Sequence, residues 1–144
     1  MLKKTITFMD YDGHERTEDY YFNLSKAELA DMQMSEYGGL DKLLTKIINT
    51  NDNVKLYQYF RDIVQKSYGV KSLDGKRFIK DPEETKAFTE TEAYSVLIME
   101  LIQDADAASN FINSIIPQDL EEAVKKQTAN GALPDLKVVE PKSE

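Results

Sequence analysis

The feature that most constrains this chain is residues 89–117, TETEAYSVLIMELIQDADAASNFINSIIP. Tyr94, Leu97, Ile98 and Leu101 fall at i, i+3, i+4 and i+7, the spacing of one helix face. Ile102 widens that stripe, while Val96 and Met99 lie toward the opposite side. Only Glu92, Glu100 and Gln103 are clearly polar, and a helix apolar nearly all round belongs inside a bundle. Thr89 and Glu92 have the spacing of a capping box that would start it. Asp104 suits the N-cap of a second helix, with Ala108, Phe111, Ile112, Ile115 and Ile116 as its stripe. Pro117 disfavours helical geometry at Ile116, so that helix is expected to stop there, as the second arm of an antiparallel helical hairpin. Fully burying one such Leu or Ile is worth about 1.5–3 kcal/mol, so these residues read as core rather than as a site.

Upstream, Ile6 and Phe8 alternate with Thr5, Thr7 and Met9, and Asp12-Gly13 is a tight-turn signal, so the N-terminus reads as a β-hairpin returning through Tyr20 and Phe22. Ser25 with Glu28 forms a capping box, and Leu24 with Leu29 its hydrophobic staple, starting a helix at Lys26 that Tyr37-Gly38-Gly39 ends. A second helix over residues 40–49 carries Leu40, Leu43, Leu44, Ile47 and Ile48. Asp52 caps a third with Leu56, Phe60, Ile63 and Val64 inward, flanked by Tyr57 and Tyr68, and Gly69 is expected to close it. Asp74-Gly75 marks a small hairpin or ordered loop. Asp81-Pro82-Glu83-Glu84 opens a short helix to about Phe88.

The pattern therefore predicts an α+β fold, mainly α: an N-terminal β-hairpin packed on a bundle of about five to six helices. Residues 1–117 are expected to form one compact domain, 118–127 to be able to form one more helix, and 128–144 to be a flexible tail.

Chemistry is harder to find. The 144 residues carry a net charge of −8, against nonspecific binding to nucleic acid or anionic membranes. Cysteine is absent, so neither disulfides nor thiolate chemistry is available. No signal peptide follows Lys3 and Lys4, and the apolar run at 96–99 is far too short to span a bilayer. His14 is the only histidine and sits in the hairpin turn, a poor place for a general base or metal ligand. Residues 10–13, DYDG, briefly resemble a calcium loop, but Gly13 and Tyr21 occupy the wrong positions for an EF-hand. No phosphate loop, nucleophile elbow or zinc-protease motif is present, so neither enzyme activity nor a cofactor is expected.

Aromatic and methionine residues remain, types suited to protein surfaces. Tyr57, Tyr59, Met32, Met34 and Tyr37 are the candidates for a partner-binding surface, against the plainer reading that they edge the core. Tyr59 leads them because it falls off the inward stripe of its helix.

Several stretches together, KKTITFMDYDGHERTEDYYFNLSKAE, the Gly38-Gly39 break, YGVKSLDGKRFIKD and residues 88–117, resemble phage tail assembly chaperones of tailed phages and prophages of Gram-positive bacteria. The resemblance covers residues 1–117 and rests on the order of the stretches. It implies a non-enzymatic helper in the host cytoplasm that binds the tape-measure protein, keeps it soluble and helps recruit tail-tube subunits, and that is absent from the mature virion. Self-association is compatible with it, and it brings no catalytic residues. Two rivals stand beside it. One is an acidic phage protein inhibiting a host nucleic-acid-binding enzyme, though here Lys and Arg interrupt the acids. The other is a structural tail or neck subunit of the virion.

Truncation after Gln127 is expected to leave the thermal midpoint nearly unchanged, because the removed residues offer little apolar surface. Scanning calorimetry checks this. A large loss would mean docking through Leu136 and the Val138-Val139 pair.

Overall fold

The computed structural model describes residues 1–33 and 40–117. The Gly38-Gly39 break and the readings beyond Pro117 lie outside that range. Two strands open the chain, β1 (Leu2–Met9) and β2 (Glu15–Phe22), paired antiparallel from Leu2 opposite Phe22 to Met9 opposite Glu15. The turn works as its sequence suggests. Gly13 takes φ +86°, and the Asp10 carboxylate accepts from the backbone N–H groups of Asp12 and His14, each at 2.9 Å. Ile6, Phe8 and Phe22 face inward and are buried. The other face is exposed and polar, with Thr5 donating to Asp19 at 2.6 Å and Thr7 beside Thr17 at 2.9 Å.

Ser25 and Glu28 form the expected capping box: the Ser25 N–H donates to Glu28 (2.8 Å) and the Glu28 N–H to the Ser25 hydroxyl (3.1 Å). They open α1 (Lys26–Gln33), and α2 (Leu40–Asn49) follows. Asp52 caps α3 (Asn53–Ser67), accepting from the Val54 N–H at 2.9 Å. Phe60, Ile63 and Val64 are buried and Leu56 half-buried, as the stripe requires.

The sheet is larger than the sequence suggests. Tyr68 and Gly69 do not finish α3; they begin β3 (Tyr68–Lys71), which pairs antiparallel with β2 through Phe22–Tyr68 and Tyr21–Gly69. Gly69 has no positive φ, so it is not a helix-ending glycine. An added Cβ would lie 2.6 Å from the Phe78 ring, so the missing side chain is what lets that ring close over the strand. Of the two options for residues 70–80, the hairpin is the one observed: β4 (Phe78–Ile79) pairs with β3, and Gly75 turns at φ +76°. The result is a four-stranded antiparallel sheet in the order β1-β2-β3-β4.

Asp81 caps α4 (Pro82–Thr89) through the Glu83 N–H at 2.9 Å. The expected capping box at Thr89 is not formed, because α4 runs one residue past Phe88 and takes Thr89 as its last, its hydroxyl donating to the Lys86 carbonyl at 2.7 Å. The break shifts to Glu90 and Thr91, and Thr91, in extended geometry, caps α5 (Glu92–Gln103). Asp104 caps α6 (Ala105–Ile115), which ends before Ile116 and Pro117 as expected. Among the described residues six helices and the sheet make an α+β fold that is mainly α. α5 packs against α3, α4, α6 and β1, so it is the central helix.

Aromatic rings tie these layers together. Phe88 stacks on Tyr68 with centroids 4.4 Å apart and meets Tyr20 at 4.9 Å, Tyr94 at 5.5 Å and Phe22 at 5.8 Å. Phe22 also meets Phe111 edge-on at 5.3 Å. Phe88→Ala is expected to cost about 3–5 kcal/mol, the range for emptying a buried aromatic site. Leu97→Asp, placing a carboxylate at a fully buried position, should prevent folding. Urea titration followed by circular dichroism measures the first, and a cooperative melt in the second would contradict the central place of α5.

Candidate protein-binding surface

The amphipathic helices leave some apolar side chains outside the core, and these are where a partner can dock. Two sit one turn apart on α5: Val96 is 42% exposed and Met99 48%. With Ser95, Glu100 and Gln103 they line a shallow, open groove of about 570 Å3. Glu100 is fixed at its edge by a 3.1 Å ion pair with Lys4 of β1. A dipolar rim over an apolar floor can take the apolar stripe of a partner helix. On α3, Tyr57 is exposed, with the Arg61 guanidinium 5.7 Å above its ring, and Val54 is exposed one turn earlier.

The sequence candidates fall in different places. Tyr59 is half-buried and packs against the core edge, so it is not the exposed tyrosine of its helix. Tyr57 is. Met32 is only 4% exposed and belongs to the core, beside Leu24 at a small cavity of about 270 Å3. Met34 and Tyr37 lie outside the described residues. Conversely, α5 is not covered all round. Val96 and Met99 look like core by composition, but α3, α4, α6 and β1 leave their side open. The signal was present in their placement opposite the main stripe.

Among the described residues no group of three or more His, Cys, Asp or Glu side chains could hold a metal, and no helix is long and apolar enough to cross a membrane. His14 serves the hairpin turn, its N–H bonded to the Asp10 side chain and its carbonyl accepting from the Asp10 N–H at 2.8 Å. The perturbed carboxylates are structural too. Asp10 is held below the ordinary carboxylate range by its 2.6 Å bond from Arg16 and by the His14 N–H. Burial pushes Glu28 up, but the Lys80 ammonium at 2.5 Å and the Ser25 N–H more than reverse this, leaving it low. Lys80 also donates to the Lys66 carbonyl at 2.7 Å, binding α1 and α3 to the segment before α4.

Over residues 1–143 the sequence matches the pattern of a family described as phage tail assembly chaperone. The chain belongs to that family. The family match runs past Pro117, where the resemblance drawn from the quoted stretches stops, and takes in the C-terminal segment. No curated protein and no solved structure matches the chain. For a tail assembly chaperone, a surface that binds protein is the relevant chemistry, and the α5 groove offers one with Val96 and Met99 as its apolar floor.

Alkaline titration probes the packing of Tyr20 against Phe88. Burial, followed by the Glu18 charge, pushes Tyr20 up to about 12. An unfolded tyrosine ionises at about pH 10. The folded chain therefore holds this proton more tightly, and the stability it lends is intact below about pH 10 and lost as pH rises toward the folded value. The melting temperature should fall across that window, and less steeply in Tyr20→Phe. Thermal melts at graded alkaline pH check this.

Proposed function

We propose that this chaperone binds the tape-measure protein of its phage through the α5 groove, keeps it soluble before tail assembly and helps recruit tail-tube subunits. The observation that carries the reading is the open Val96 and Met99 face on the central helix of a chain in the tail assembly chaperone family. A tape measure is, by the family resemblance, a long helix with apolar stripes. Such a client needs many shallow apolar contacts rather than one deep pocket, and repeated weak contacts along it add by avidity. Methionine suits the task, because its flexible, polarisable side chain adapts to varied apolar shapes. The net charge of −8 would keep the complex dispersed. Tyr57 extends the apolar contact on α3. The helper acts in the host cytoplasm and leaves before the virion is complete.

Co-expression with the cognate tape measure is expected to keep that protein in the soluble fraction and to co-purify the two. The double substitution Val96→Asp and Met99→Asp should abolish this while the helper's own melting temperature moves by a few degrees at most, since both side chains already face water. A client that stays insoluble with the parent chain sinks the reading. Normal rescue by the double variant sinks the groove alone. Mass spectrometry of purified particles should lack the protein.

A further inference from the structure

The tip of the β3–β4 hairpin presents a leucine with nothing over it. Leu73 is fully exposed, yet the turn that carries it is tightly braced. The Ser72 N–H donates to the Arg77 carbonyl (2.9 Å) and the Gly75 N–H to the Ser72 carbonyl (3.0 Å). The Ser72 hydroxyl donates to Asp74 (2.7 Å) and accepts from the Arg77 N–H (3.0 Å), and Asp74 accepts from the Lys76 N–H (3.0 Å). Beside Leu73 stand Lys76 and Arg77, exposed and without an ion-pair partner among the described residues. A braced apolar knob with a basic collar has little conformational freedom left to lose on docking.

A matching hollow lies at the other edge of the sheet. Where the β1–β2 hairpin meets the junction of α4 and α5, a cleft of about 260 Å3 has Phe8 and Tyr20 in its lining. Asp10, Glu18, Glu90 and Glu92 stand around them. The one basic residue there, Arg16, is already engaged by Asp10 at 2.6 Å and Glu18 at 3.3 Å. Glu90 has no hydrogen bond or ion pair through its side chain among the described residues. The knob cannot fill the cleft of its own chain, because Leu73 is fully exposed and β4 and β1 are opposite edges of the sheet.

We propose that the Leu73 tip docks into the acid-rimmed Phe8 and Tyr20 cleft of a second copy of this chain. Apolar contact supplies the anchor, and the Lys76 and Arg77 collar against the carboxylate rim selects the partner and its orientation. The two surfaces are different patches, so the contact is heterologous. This inference does not rest on the tape-measure reading, and no client enters its test.

Sedimentation of the full chain should show association that grows with concentration and weakens in salt. Leu73→Asp should be monomeric, and so should the cleft variant Glu18→Arg with Glu90→Arg. All three positions are exposed, so circular dichroism should report the parent fold for each. Mixing the two monomeric variants is the decisive measurement. One retains an intact cleft and the other an intact knob, so a one-to-one dimer should form. A parent chain that stays monomeric up to millimolar concentration overturns the proposal. So does a Leu73→Asp variant that associates like the parent, or a mixture that remains monomeric.

Discussion

The ring of Phe88 is where the two layers of this protein are joined. It lies at the end of a short helix, yet it meets Tyr20 and Phe22 of β2, Tyr68 of β3 and Tyr94 of α5. Phe22 carries the contact on to Phe111 of α6. Edge-on and stacked pairs at these distances add to the burial of the rings themselves. They also fix relative orientation, which burial alone does not. Position is set for the sheet, for α4 and for the α5–α6 pair by one set of contacts. The open side of α5 follows from this, because the helix is turned so that Leu97, Ile98 and Leu101 meet the core and Val96 and Met99 do not.

How far the sequence could be read depends on how local each interaction is. The caps at Ser25, Asp52, Asp81 and Asp104 are legible because side chain and backbone partner lie within three residues of one another. The first hairpin is legible for the same reason, its register following from Asp12-Gly13 and the alternation of Ile6 and Phe8. β3 is not. Nothing within residues 68–71 shows that β2, more than forty residues earlier, leaves an edge to be paired. Gly69 reads in the sequence as the end of a helix, and only the position of Phe78 shows that it makes room for a ring instead.

The candidate surface was less legible than the fold, for a geometric reason. Periodicity gives the angle between residues on a helix, but not how many neighbours the helix has. Tyr59 is off the stripe of α3, yet the core extends far enough to reach it. Met32 sits on a helix with a weak apolar face and is nonetheless buried. On α5 the error has the opposite sign: an apolar circumference suggested complete burial, whereas the neighbours on its remaining sides leave one face in water.

Charge is arranged to the same effect. Where ion pairs are formed, they brace the scaffold: Lys4 to Glu100 across β1 and α5, Lys80 to Glu28 across the segment before α4 and α1, Arg16 to Asp10 within the turn. Ion pairs that remain in reach of solvent contribute little stability each, so their consequence lies more in holding geometry than in energy. The collar of the Leu73 tip is different, since Lys76 and Arg77 are left facing solvent in a chain with an excess of acids. The hydrogen bonds of the turn take the backbone N–H groups of Lys76 and Arg77, and neither charged end forms an ion pair among the described residues. The same bracing that gives the tip its shape therefore leaves its charge available to another molecule.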